Sequence, residues 1–220
     1  MRTVIFDLDG TLVDSSADLI AAANHCFRAR GLGDLLDPAA DAETAFHGGR
    51  AMLTLGFSRV DEHDKALVEE DYPRLLEAYG ARIARHTTLY PGAMEAVGAL
   101  VEAGYGVGIC TNKPEALAEK LLAELGVREA FGAMVGADTL AVRKPDPEPF
   151  HETVRRLGGT PGRTCLVGDT ETDRLTAQAA KVPSVLVTFG PAGETVAQWG
   201  PDAVIGAFGE LVEVVEGLGL

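Results

Sequence analysis

The chain has 220 residues, 46% apolar and 24% charged, with 19 Lys and Arg against 33 Asp and Glu and a formal net charge of −14. This length suits one domain, or one domain carrying a sizeable insertion, and the acidic excess argues against nucleic-acid and membrane partners by repelling their phosphates. Cys26, Cys110 and Cys165 form no CxxC pair, no leader-like apolar segment opens the chain, and no apolar run approaches a membrane span, so a soluble, cytoplasmic protein is expected.

Thr3-Val4-Ile5-Phe6 is short, unbroken and β-branched or aromatic, which predicts a buried strand. Asp7, Asp9, Gly10 and Thr11 follow at its end. Ser15-Ser16-Ala17-Asp18 then predicts the start of a helix carrying Leu19, Ile20, Ala23 and Phe27, ended by Gly31 or Gly33. Residues 36–86 read as wholly helical, with a boundary or kink at Pro73. After Tyr90-Pro91-Gly92 comes a helix with Met94, Val97, Leu100 and Val101 on one side. The strand Val107-Gly108-Ile109-Cys110 runs into Thr111-Asn112-Lys113-Pro114, and a helix bearing Leu117, Leu121, Leu122 and Leu125 closes at Gly126. A short apolar run, Ala133-Met134-Val135, precedes Lys144-Pro145, and a helix spans about 150–157. The strand Thr164-Cys165-Leu166-Val167 ends in Gly168-Asp169-Thr170, and a helix with Leu175, Ala179 and Ala180 follows. Ser184-Val185-Leu186-Val187, Val204-Ile205 and a helix striped by Leu211, Val214, Val215 and Leu218 complete the series; Trp199 is read as core.

Alternating strands and helices predict an α/β fold with a mostly parallel sheet covered on both faces. The helical block interrupts that alternation, so residues 15–86 read as an inserted α-helical cap domain. The core then comprises 1–14 plus 87–220, with linkers near 12–17 and 84–91. In open α/β sheets the ligand crevice lies at the carboxyl ends of the strands. Asp7 and Asp9, Thr111 and Asn112, and Asp169 and Asp173 all follow strands, and the loop carrying Lys144 can reach them.

Carboxylates gathered at one place need a cation, and Mg²⁺ suits hard oxygen donors. Surplus negative charge does not suit a carbonyl-polarising site, whereas a phosphate monoester bridged by Mg²⁺ fits. An attacking carboxylate would meet an anion, so positive charge and donors are required; Lys144, the Thr111 hydroxyl and backbone N–H groups near Leu8 and Asn112 can supply them. Aspartate can form an aspartyl-phosphate, and a second Asp two residues on can move protons.

Asp7-Leu8-Asp9-Gly10-Thr11-Leu12, Thr111-Asn112-Lys113, Lys144-Pro145 and Gly168-Asp169-Thr170-Glu171-Thr172-Asp173 resemble, in order, the four motifs of the haloacid dehalogenase-like phosphohydrolases. The resemblance implies a Rossmann-like core with a helical cap after the first motif. It implies Asp7 as nucleophile, Asp9 as general acid/base, and Thr111, Asn112 and Lys144 as phosphate-binding residues. It also implies Mg²⁺ held by Asp7, the Asp9 carbonyl and Asp169, with Asp173 supporting directly or through water. Within the superfamily, Tyr90-Pro91-Gly92, Thr111 to Leu117, Gly136 to Leu140 and Arg143 to Pro149 resemble phosphoglycolate phosphatases. Lys181 departs from that pattern, standing where a helix-ending Gly is usual.

In the block 15–86, Gly48, Gly49 and Arg50 could present backbone donors and a guanidinium to a substrate carboxylate; the alternative is an Arg at a helix start facing water. Asp14 and Glu171 read as solvated or capping residues. The expected activity is hydrolysis of a small phosphorylated metabolite, 2-phosphoglycolate first, by a monomer or homodimer. Hydrolysis of a sugar phosphate or pyrophosphate, a sugar-phosphate mutase, and a catalytically silent binding protein are the alternatives.

Overall fold

A computed structural model describes residues 1–220. The chain divides into two compact units, one formed by Met1–Val13 with Leu89–Leu220 and the other by Asp14–Thr88.

The first unit opens with β1 (Thr3–Phe6) and resumes after the 14–88 unit. β2 is Val13–Asp14, α1 Ser16–Ala29, α2 Ala42–Phe46, α3 Gly49–Ser58, α4 Lys65–Ala81, β3 Thr88–Leu89 and α5 Ala93–Glu102. Then come β4 (Gly106–Cys110), α6 (Glu115–Glu124), β5 (Ala133–Val135), α7 (Glu148–Arg156), β6 (Thr164–Gly168), α8 (Glu171–Ala180), β7 (Ser184–Val187), β8 (Ala203–Ile205) and α9 (Leu211–Gly217). Six strands form one sheet in the order β5-β4-β1-β6-β7-β8, with every pairing parallel. Helices cover a parallel sheet on both faces, so its strands can be apolar throughout. Accordingly β1 and β6 are buried at every residue.

The register aligns the strand ends. Phe6 lies beside Ile109 on β4 and beside Val167 on β6, so Asp7, Thr111 and Asp169 emerge close together from the carboxyl ends of three adjacent strands. Two backbone bonds extend the ladders past the strands: Asp7 N–H donates to the Val167 carbonyl at 2.9 Å and Thr111 N–H to the Val135 carbonyl at 3.0 Å. Beneath this edge, Ile5, Cys110 and Leu166 from the sheet pack with Phe150, Val154, Ala177 and Ala180 from α7 and α8. That cluster fixes the two helices that leave the Lys144 and Asp169 loops.

In the unit 14–88, α1, α3 and α4 pack together, with the Phe27 and Phe57 rings edge to face at 5.2 Å. A side chain at Gly56 would place a Cβ 2.1 Å from the Phe27 ring, so only glycine admits this packing. Asp71, buried in α4, is held by Arg30 at 2.6 and 3.0 Å and by Arg74 at 3.0 Å. Asp18 Oδ2 accepts from the His86 N–H, the Thr87 N–H and the Thr87 hydroxyl, which ties the start of α1 to the end of the unit.

The structure corrects several sequence expectations. Helix α4 runs through Pro73 without a boundary; Pro73 and Glu69, whose carbonyl loses its helical donor, are both exposed, so water can replace the missing bond. Val101 is exposed, while Val97 and Leu100 are buried together with Ala93 and Ala96 on the inner face of α5. Trp199 is half-buried at the end of a 3-10 turn, where Val196 is the buried residue.

Candidate active site

The Asp7 carboxylate is fixed through one oxygen. Its Oδ1 accepts from the Leu8 N–H at 2.7 Å and lies 3.0 Å from Lys144 Nζ. Lys144 is almost wholly buried and also touches Asp173 Oδ1 at 2.7 Å. Burial alone would depress the Lys144 pKa, but Asp173 and Asp7 outweigh it and hold the ammonium firmly charged.

Asp173 Oδ2 closes the turn after β6. It accepts from the Thr170 hydroxyl at 2.6 Å, the Thr170 N–H at 3.1 Å and the Asp169 N–H at 3.3 Å, while Thr170 caps α8 in return. Both Asp173 oxygens are therefore engaged. Asp169 Oδ1 accepts from the Thr11 hydroxyl at 2.7 Å, and its other oxygen lies against the backbone of Gly10. At Gly10 φ is +83° and an added Cβ would come 2.2 Å from that oxygen, so both backbone conformation and space require glycine.

The loop after β4 supplies three consecutive side chains. The Thr111 hydroxyl accepts from the Lys113 N–H at 3.1 Å, which leaves its own proton for an external acceptor. Asn112 donates to the Lys144 carbonyl at 3.0 Å and braces the neighbouring loop. Lys113 Nζ lies 2.9 Å from each oxygen of Asp9.

Four carboxylates, those of Asp7, Asp9, Asp169 and Asp173, thus meet two ammonium groups. The surplus negative charge appears in the carboxyl groups themselves. Burial pushes Asp7 up to about 6, with Asp173 adding to the rise and Lys144 opposing it. Asp169 is raised well above the carboxylate range by burial and by the charges of Asp173 and Asp7, partly offset by its bond from Thr11. Oxygens of Asp7, Asp169 and Asp173 lie within 4.8 Å of one another. A buried all-oxygen set with uncompensated charge fits a hard divalent cation such as Mg²⁺.

Residues 1–181 match the haloacid dehalogenase-like hydrolase family. The chain belongs to that family. It is an enzyme of the phosphoric monoester hydrolase class, by its kinship with the phosphatases that follow. The chain is 40% identical over 222 residues to a phosphoglycolate phosphatase of Mesorhizobium japonicum, covering 98% of this chain and 95% of the relative. A phosphoglycolate phosphatase of Agrobacterium fabrum is 39% identical over 208 residues, covering 94% and 89%. Among solved structures, a predicted phosphoglycolate phosphatase from Haemophilus somnus superposes with a TM-score of 0.85 at 25% identity, with 97% of each chain covered.

In this hydrolase, Asp7, Asp9, Thr111, Asn112, Lys144, Asp169 and Asp173 all gather at the carboxyl edge of the sheet. Gly48, Gly49 and Arg50 lie in the other unit. There Arg50 forms a two-pronged ion pair with Glu69 at 2.7 and 2.9 Å and stacks 3.7 Å above the Tyr72 ring. Thr11, Lys113 and Thr170 are site residues that the sequence reading passed over. The signal for them was their position inside the quoted motifs; their partners, up to 158 positions away, are set only by the fold.

No helix of the structure is long and apolar enough to cross a membrane. The three cysteines are free and buried; burial pushes Cys110 and Cys165 up to about 12, so they act as small apolar groups.

Proposed function

We propose that this hydrolase is a Mg²⁺-dependent phosphatase that cleaves a small phosphate monoester, 2-phosphoglycolate foremost, through an aspartyl-phosphate on Asp7. The observation that carries this reading is the Asp7 carboxylate, pinned through Oδ1 beside the Lys144 ammonium and gathered with Asp169 and Asp173 within 4.8 Å. The substrate rests on the relatives named phosphoglycolate phosphatase at 40% and 39% identity.

Asp7 Oδ2 attacks phosphorus as the bond from phosphorus to the ester oxygen breaks, and Asp9 gives its proton to the departing alcohol. Lys144 and the Thr111 hydroxyl hold phosphoryl oxygens, offsetting the meeting of two anions. In the second half, water attacks the aspartyl-phosphate, its proton passes to Asp9, and inorganic phosphate leaves with Asp7 restored. Asp7, Asp169 and the Asp9 carbonyl would hold Mg²⁺, and Asp173, with both oxygens engaged, would support the ion through the loop it closes. When bound, the ion supplies positive charge to the transferring phosphoryl group. Residues 15–86 serve in this reading as the cap that selects substrate, and the free thiols suit a reducing cytoplasm.

The test ranks kcat/KM for 2-phosphoglycolate against sugar phosphates and pyrophosphate, following phosphate release and substrate loss together. Equal rates of the two, with 2-phosphoglycolate first, are expected. Substrate loss without free phosphate would instead indicate a mutase.

A further inference from the structure

Lys113 is a buried ammonium that the mechanism above leaves without a task. Its side chain is 3% exposed, and its Nζ stands 2.9 Å from both oxygens of Asp9, which is 18% exposed. The clasp spans 104 positions and joins the loops after β1 and β4. Its base is fixed as well, because the Lys113 N–H donates to the hydroxyl of Thr111.

We propose that Lys113 is a positioning residue that aims the Asp9 carboxyl at the leaving-group oxygen; this rests on Asp9 being the acid of the proposed reaction. An Asp side chain has two free torsions, so without a partner its carboxyl group samples several positions. An ion pair from a buried ammonium to both oxygens holds the carboxyl group in place against the loop after β4. Proton transfer needs donor and acceptor within hydrogen-bond reach, and an error near 1 Å costs on the order of 100-fold in rate. The same loop places Thr111 toward phosphate, so one backbone segment registers the acid against the phosphoryl site.

The consequence is a dependence on the leaving group. An alkoxide must be protonated as it departs, whereas p-nitrophenolate leaves without help. Lys113→Met should lower kcat/KM for 2-phosphoglycolate and for a simple alkyl phosphate by about 10- to 100-fold. For p-nitrophenyl phosphate the loss should stay within about 3-fold, because the acid contributes little there. Lys113→Gln, which keeps one N–H donor, should fall between Met and wild type and carries the same comparison if the Met variant does not fold. In an Asp9→Asn background, Lys113→Met should cost less than about 3-fold further on 2-phosphoglycolate, since the group it aims is already gone. Equal losses on alkyl and aryl esters would overturn the proposal, as would full additivity with Asp9→Asn. A loss confined to 2-phosphoglycolate would also overturn it, making Lys113 a ligand of the substrate carboxylate. If Asp9→Asn alone shows no leaving-group dependence, the acid assignment fails, which is a separate result from any behaviour of Lys113.

Discussion

The raised pKa of Asp7 makes the stability of the metal-free enzyme depend on pH in an unusual direction. The folded-state value is about 6, against an ordinary 3.8. Between these values the unfolded chain is ionised at this position while the folded protein keeps its proton. Stability from this group is therefore present at low pH and lost as pH rises from about 4 through 6. At about 1.4 kcal/mol per pKa unit, the penalty from Asp7 alone at pH 7.5 is on the order of 3 kcal/mol. For a chain of this size that corresponds to roughly 6–12 °C in Tm. Asp169 shifts in the same direction and adds to it. Because a cation binds the ionised forms, Mg²⁺ should stabilise little at pH 5 and strongly at pH 7.5. Thermal unfolding measured with chelator and with Mg²⁺ at both pH values tests this, with Asp7→Asn as the control. The variant should show a smaller fall in Tm between pH 5 and 7.5 without metal, with the share due to Asp169 remaining. Parallel pH profiles for wild type and Asp7→Asn in chelator, or a Mg²⁺ effect that does not grow with pH, would refute the reasoning.

Other substitutions probe separate parts of the structure. Gly10→Ala forces a Cβ to within 2.2 Å of the Asp169 carboxylate at φ +83°; Mg²⁺ affinity and kcat should each fall by on the order of 10- to 100-fold, as measured by metal titration and steady-state kinetics. Lys181 ends α8 in the left-handed region at φ 58°, so Lys181→Gly should raise stability by about 1 kcal/mol in denaturant unfolding and leave kcat unchanged. Arg50→Ala breaks an exposed pair with Glu69 and should change kcat/KM by less than about 3-fold, equally for esters with and without a carboxylate. A selective loss on carboxylate-bearing esters would instead set Arg50 against the substrate.

The strands β1, β4, β6 and β7 were legible because a doubly covered parallel strand is apolar at consecutive positions, as Val4–Phe6 and Val185–Val187 are; the short edge strands β5 and β8 showed only as brief apolar runs. Asp7, Asp9 and Asp169 stood out for the complementary reason, as charges set at the ends of such runs. Harder to read were features decided by distant partners. Lys113 looks like any loop lysine until the register of β1 and β4 brings Asp9 to it, and Thr11 gains meaning only when Asp169 arrives from β6. Arg50 followed glycines, as an anion-binding Arg can, but Glu69 and Tyr72 on α4 take its guanidinium. Pro73 does not end α4 because the carbonyl it deprives of a helical donor belongs to Glu69, an exposed residue that water can reach. On α5 the buried face is filled by Ala93, Ala96, Val97 and Leu100, which leaves Val101 outside.

The central claim is that phosphate passes through Asp7. Two successive in-line displacements at phosphorus return its original configuration, whereas one direct attack by water inverts it. Hydrolysis of a phosphorothioate ester made chiral at phosphorus by sulfur and two oxygen isotopes, run in water bearing the third isotope and read by the configuration of the thiophosphate released, measures this directly. Retention is predicted, together with a phosphorylated Asp7 peptide from acid-quenched enzyme that is absent in Asp7→Asn. Inversion of configuration would contradict the account.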